Sequence, residues 1–128
     1  MNSKTGFFLI LLLAAGLFWA DAALANKASV SIDAPTEVAK GSEITIRLTV
    51  THSANYFFHH VEWVQVIVNN NQVAWGEYSF YHLPEGATYT KEIKYIVNDD
   101  TEIKAEASCN LHGSAGPTSF KVSTKENK

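Results

Sequence analysis

From Glu43 to Val50 the chain alternates without a break: Ile44, Ile46, Leu48 and Val50 are apolar, and Glu43, Thr45, Arg47 and Thr49 between them are polar. Side chains of a strand point to opposite faces in turn, so a period of two predicts a strand with one face buried and one in water. The same signature recurs along the chain. Val30 and Ile32 alternate with serines; Tyr89, Ile93, Tyr95 and Val97 with Thr90, Glu92 and Lys94; Ile103, Ala105 and Ala107 with Glu102, Lys104 and Glu106; Phe120 and Val122 make a short last strand. Val61 to Val68 is more continuously apolar and closes at Asn69-Asn70-Asn71. Asparagine tolerates left-handed backbone, so this predicts a hairpin turn with Gln72 to Phe80 as the returning strand. None of these segments has a helical period. About seven strands with turn signals between them predict an all-β fold, an immunoglobulin-like antiparallel sandwich, with Trp63, Trp75, Tyr78 and Phe80 read as core.

The N-terminal stretch does not share this pattern. Lys4 precedes an apolar run from Phe7 to Trp19, and Ala23-Leu24-Ala25 offers the small residues that a signal peptidase needs. The expectation is a secretory signal peptide over residues 1–25, one domain over residues 26–128, and a periplasmic or secreted location. The apolar run falls short of the roughly 20 residues of a spanning helix, so no stable membrane insertion is expected after cleavage. The remaining hundred or so residues suffice for one core and not for two. Charge is dispersed, with 10 Lys+Arg against 13 Asp+Glu, and the absence of a basic stripe argues against nucleic acid as a partner.

Cysteine usage adds chemistry. An exported small domain ordinarily spends its cysteines on disulfides, yet Cys109 is the sole cysteine of the chain. Pairing with another molecule, inert burial and capture by a metal are the alternatives, and a metal would protect the thiolate from oxidation. Cys109 lies three residues before His112, with Gly113 following, and a turn there brings imidazole and sulfur toward one ion. A second group, His52 and His59-His60, lies upstream. Extending the inward register of Ile44 to Val50 by two residues reaches His52, and extending that of Ile103 to Ala107 reaches Cys109. His59 shares parity with Val61 and Trp63, so His59 and His60 point to opposite sides and at most one of them is a ligand. Soft sulfur with several imidazoles suits iron, copper or zinc. Between His52 and His59, Tyr56-Phe57-Phe58 interrupts the strand pattern and is read as a cover for the metal, the other reading being an exposed contact for a partner.

These residues resemble the iron domain of superoxide reductase, also called neelaredoxin or the desulfoferrodoxin C-terminal domain. Members typically read H-P-N or H-P-M, then H-H or H-Y followed by I-x-W, and finally C-N-x-H-G; here the corresponding pieces are His52, His59-His60-Val61-Glu62-Trp63 and Cys109-Asn110-Leu111-His112-Gly113. The resemblance runs from about Val30 to Val122 and implies a seven-stranded immunoglobulin-like sandwich. It also implies a mononuclear non-haem iron site cycling between Fe2+ and Fe3+, with His52, His59 and His112 among the equatorial histidines and Cys109 axial. Superoxide is the implied substrate, reduced to hydrogen peroxide with electrons from an unidentified donor, and a homo-oligomer is compatible with it.

The chain also departs from the family. The N-terminal E-K-H-x-P element, source of a further histidine and of a lysine that draws in superoxide, is missing, since no histidine precedes His52. Ser53 stands in the place of proline, and the loop to His59 is one residue longer than usual. His82, His60, a carboxylate or water are the candidates for the remaining position. Other readings are a copper or other electron-transfer protein, weakened because Met1 is the only methionine and blue-copper sites add an axial one, and a non-catalytic binding module with incidental histidines.

Overall fold

The computed structural model describes residues 27–79 and 81–126. The expected signal peptide and Phe80 lie outside them. Eight strands follow in order: β1 (Ser29–Asp33), β2 (Glu37–Ala39), β3 (Ser42–Thr51), β4 (Val61–Val68), β5 (Asn71–Glu77), β6 (Thr88–Val97), β7 (Thr101–Cys109) and β8 (Thr118–Lys125). They form a three-stranded sheet, β1-β3-β6, and a five-stranded sheet, β2-β8-β7-β4-β5. Together the two make the immunoglobulin-like sandwich that the alternation predicts. The strand beyond the expected seven is β2, three residues long and parallel to β8. So short an edge strand carries no readable period, and its backbone pairing with Ser123 to Lys125 holds it in place. Among the described residues no helix is long and apolar enough to cross a membrane.

The alternating apolar positions are the core. Ile44, Ile46, Leu48 and Val50 of β3 face Val64, Val66 and Val68 of β4 and Ile103, Ala105 and Ala107 of β7, all buried. Between β4 and β5 the chain turns on two residues, Asn69 and Asn70, with φ of 48° and 69°. Two consecutive left-handed residues match the strand twist of a tight hairpin, as the asparagine run predicts.

Two sequence expectations need correction. The return strand ends at Glu77, short of Phe80. Trp63 and Trp75 are not core: Gln65 pairs with Trp75 and Trp63 with Glu77, and the two indoles stack on the outer face, 5.4 Å between centroids and 19° apart in plane. For Trp75 the reason is an irregularity between β4 and β5, where Ile67 pairs with Gln72 but Val66 with Ala74, leaving Val73 extra; for Trp63 it is an irregularity in β4. Val61 pairs with Cys109 but Trp63 with Ser108, so Glu62 is an extra residue opposite β7. A bulge of this kind reverses strand parity, leaving Val61 inward and Trp63 outward. Tyr78 does pack against the core.

Candidate metal centre

One end of the sandwich gathers the C-terminal ends of β3 and β7 and the start of β4, and the candidate ligands sit there. His52 directly follows β3 and is 1% exposed, held by its backbone N–H donating to Ala87 O at 2.8 Å. Its inward direction continues the register of Ile44 to Val50, as parity predicts. Cys109 ends β7, likewise inward and buried. Cys109 N donates to Gly113 O at 2.9 Å and Gly113 N to Cys109 O at 3.0 Å, closing a turn in which Gly113 takes φ 77°. A side chain at that φ is strained, so the glycine lets the chain fold His112 back over the sulfur.

His59 owes its direction to the bulge. Without Glu62 as an extra residue, the inward parity of Val64, Val66 and Val68 would extend back to His60; with it, Val61 and His59 point inward. His59 is also one foot of a tight hairpin: Tyr56 N donates to His59 O at 2.8 Å and His59 N to Tyr56 O at 3.1 Å, with Phe57-Phe58 as the two-residue tip.

The result is a cluster in which one ligand atom each from His52, His59 and Cys109 lies within 4.8 Å of the others, all three residues buried. His112 adjoins it, its Nδ1 3.1 Å from His59 Nε2 and 4.0 Å from Cys109 Sγ. Bonds of about 2.0–2.3 Å to a common ion place two donors roughly 3–4.5 Å apart, so the set fits a single metal with small adjustments. The His59–His112 separation is close to that of two nitrogens at right angles around one ion. Leu111 N donates to Cys109 Sγ at 3.4 Å, and amide bonds to a metal-bound sulfur are a lever on the charge it donates. His112 is exposed, whereas the other three residues are buried.

The other candidates are elsewhere. His60 is buried rather than on the surface, its Nδ1 3.3 Å from Tyr56 O, and it is outside the cluster. His82 is exposed, its ring 5.6 Å from that of Tyr78. Among the described residues no carboxylate joins the group. The aromatic cover is only partly met: the Tyr56 ring lies 5.9 Å from that of His59, whereas Phe57 and Phe58 are 52% and 71% exposed and contact each other. A two-residue hairpin tip projects its side chains away from the fold.

Two asparagines escaped the sequence reading. Asn110 Oδ1 accepts from His60 N at 2.9 Å, Asn110 Nδ2 donates to Phe58 O at 3.1 Å, and Asn110 N donates to His60 O at 3.0 Å. These bonds clamp the hairpin that carries His59 to the turn that carries Cys109. Asn55 Oδ1 accepts from Val61 N at 2.9 Å and Asn55 Nδ2 donates to Gly86 O at 2.6 Å, fixing the other side of the same loop. Their signal was the position of Asn110 inside the Cys109–Gly113 motif and of Asn55 in the loop between two candidate ligands.

A sandwich with a buried sulfur and imidazole cluster at one end defines a class, that of small metal-site β domains. Within it the assignment is specific: residues 21–114 match the desulfoferrodoxin family model, and the chain belongs to that family. In structure it is similar to superoxide reductase (neelaredoxin) from Ignicoccus hospitalis, with TM-score 0.65 and 17% identity over 77% of this chain and 82% of that one. It is also similar to a Thermotoga maritima protein provisionally assigned as a superoxide reductase, with TM-score 0.58 and 26% identity over 77% of this chain and 86% of that one. The sulfur carrier protein SoxY from Chlorobium limicola shares the fold at TM-score 0.54 and 12% identity, over 88% of this chain and 98% of that one. No curated protein matches in sequence.

Proposed function

We propose that this chain is an exported mononuclear non-haem iron protein of the superoxide reductase type, with residues 1–25 as a cleaved signal peptide and residues 26–128 as the iron domain. His52, His59, His112 and Cys109 would hold the iron. The observation that carries this reading is the convergence of two buried imidazoles and a buried sulfur within 4.8 Å in a desulfoferrodoxin chain. When bound, ferrous iron would supply one electron, and with two protons superoxide becomes hydrogen peroxide.

The chain's own residues do the rest. Asn110 and Asn55 hold the loops in place, the Leu111 amide addresses the sulfur, and burial of His52, His59 and Cys109 keeps water from these three donors. The exposed His112 marks the side from which a small anion can approach. Without the E-K-H-x-P element the chain has neither its histidine nor its steering lysine, so superoxide reduction is expected to be slower than in a member that has them. Elemental analysis of protein purified from its native compartment tests the metal, and pulse radiolysis tests the reaction. One iron per chain with a sulfur-to-iron absorption band is expected. Copper or no metal would overturn the assignment, and reduction as fast as in a complete member would overturn the expected impairment.

A further inference from the structure

The two loops that carry the metal cluster are apolar and uncharged. Residues 51–61 and 107–117, the loops that hold His52, His59, Cys109 and His112, contain no Asp, Glu, Lys or Arg, in a chain with 23 of them (10 and 13). Charge at that end is confined to the flanks, with Lys27, Glu62, Glu77 and Glu85. Yet the apolar side chains are in water there: Tyr56, Phe57 and Phe58 on the hairpin are each more than half exposed, Leu111 is 61% exposed and Tyr81 86%. Asn110 ties the hairpin to the turn that bears Leu111, so Tyr56, Phe57, Phe58 and Leu111 share one rigid support.

A third observation says what this surface meets. The chain enters the fold at this same end: Ala28 N donates to Gly113 O at 3.3 Å and Ala28 O accepts from Ala115 N at 2.9 Å, beside the Cys109 turn. The apolar run Phe7 to Trp19 ends eight residues before Lys27. Eight residues span at most about 29 Å, so until the signal peptide is cleaved the metal end is the end of the sandwich held within that distance of the bilayer. A protein partner selected by charge finds nothing to read in the two loops, whereas exposed Phe and Tyr on an uncharged tip suit the interface between lipid headgroups and acyl chains.

We propose that the Phe57-Phe58 hairpin tip, with Tyr56 and Leu111 beside it, is a membrane-contact surface that seats the metal end of the sandwich against a lipid bilayer. The contact is peripheral, through side chains at the interface, and requires no spanning segment. It rests on the surface and on the entry point of the chain, and it stands whichever metal the cluster holds.

The test uses the full chain with vesicles of phosphatidylcholine carrying brominated acyl chains, which quench tryptophan fluorescence only where an indole reaches the lipid. Phe58→Trp reports the tip, and Val73→Trp, near the Asn69-Asn70 turn at the opposite end, reports the far side. The tryptophan added at position 58 is expected to be quenched by the vesicles at least severalfold more than that added at position 73. The Phe57→Ser/Phe58→Ser double variant, altered only at exposed positions, is expected to keep its fold and lose that seating, read as a fall of roughly tenfold in the vesicle-bound fraction of signal-processed protein. Equal quenching at both positions would mean tethering without orientation, and no quenching at position 58 would mean that the tip stays in water. Quenching or a blue shift that depends on protein concentration without vesicles would mean that a second copy covers the tip. Each of these three outcomes overturns the proposal.

Discussion

Cys109 is the residue on which the metal chemistry turns. It is buried, receives the Leu111 amide and shares a cluster with His52 and His59. Cys109→Ser nearly keeps the volume and removes the soft donor, so the sulfur-to-iron absorption of the iron-loaded protein should disappear while the fold, followed by circular dichroism, persists. Asn110 acts at one remove. Asn110→Ala deletes both side-chain bonds to the hairpin and should lower stability by about 1–3 kcal/mol in urea titrations. It should also weaken iron retention, because His59 and Cys109 then sit on two loops free to part. The equivalent change at His82, exposed and outside the cluster, should alter neither iron content nor spectrum.

At the scale of elements, the bulge of β4 decides which of two adjacent histidines faces the metal. Deleting Glu62 removes the bulge and restores regular pairing of β4 with β7, and because Val61 and His59 then lie two and four positions before the inward Val64, His59 should still face inward. Iron affinity measured by chelator competition should then be largely kept, and a fall of about tenfold or more would show that the bulge itself sets the position of His59. The β4–β5 hairpin offers a second change that leaves the metal alone. Asn69 holds φ 48°, so Asn69→Ala should cost about 1–2 kcal/mol in stability with no effect on metal content.

For the whole molecule, pH dependence has a contributor outside the metal cluster. Burial, then the neighbouring Tyr78 hydroxyl and the Glu85 charge, push the Tyr89 phenol well above the ordinary tyrosine range. A group whose folded pKa is raised contributes stability that is fully present below its unfolded pKa and lost as pH climbs above it. Stability should therefore decline above about pH 10, where the unfolded tyrosine ionises and the folded one does not. Tyr89→Phe should flatten that alkaline decline in urea titrations across pH, leaving neutral stability nearly as it was.

The period of two was legible because strand side chains alternate by covalent geometry, so β3, β6 and β7, the inward direction of His52 and Cys109, and the Asn69-Asn70 turn could be read from sequence alone. The Cys109–Gly113 spacing pointed to the chemistry for the same local reason, a turn tight enough to bring the sulfur and imidazole together. Tertiary structure decided the rest. A three-residue β2 has no period of its own and exists through its pairing with β8. Trp63 and Trp75 look like core by composition and lie outside because of one extra residue each, Glu62 in β4 against β7 and Val73 in β5 against β4, features that become visible only against the partner strand's register. That His52, His59 and Cys109 meet is likewise a fact of the sandwich: they are up to 57 residues apart along the chain (109 − 52), and only the packing of two sheets and the asparagine clamps bring their donor atoms to one place.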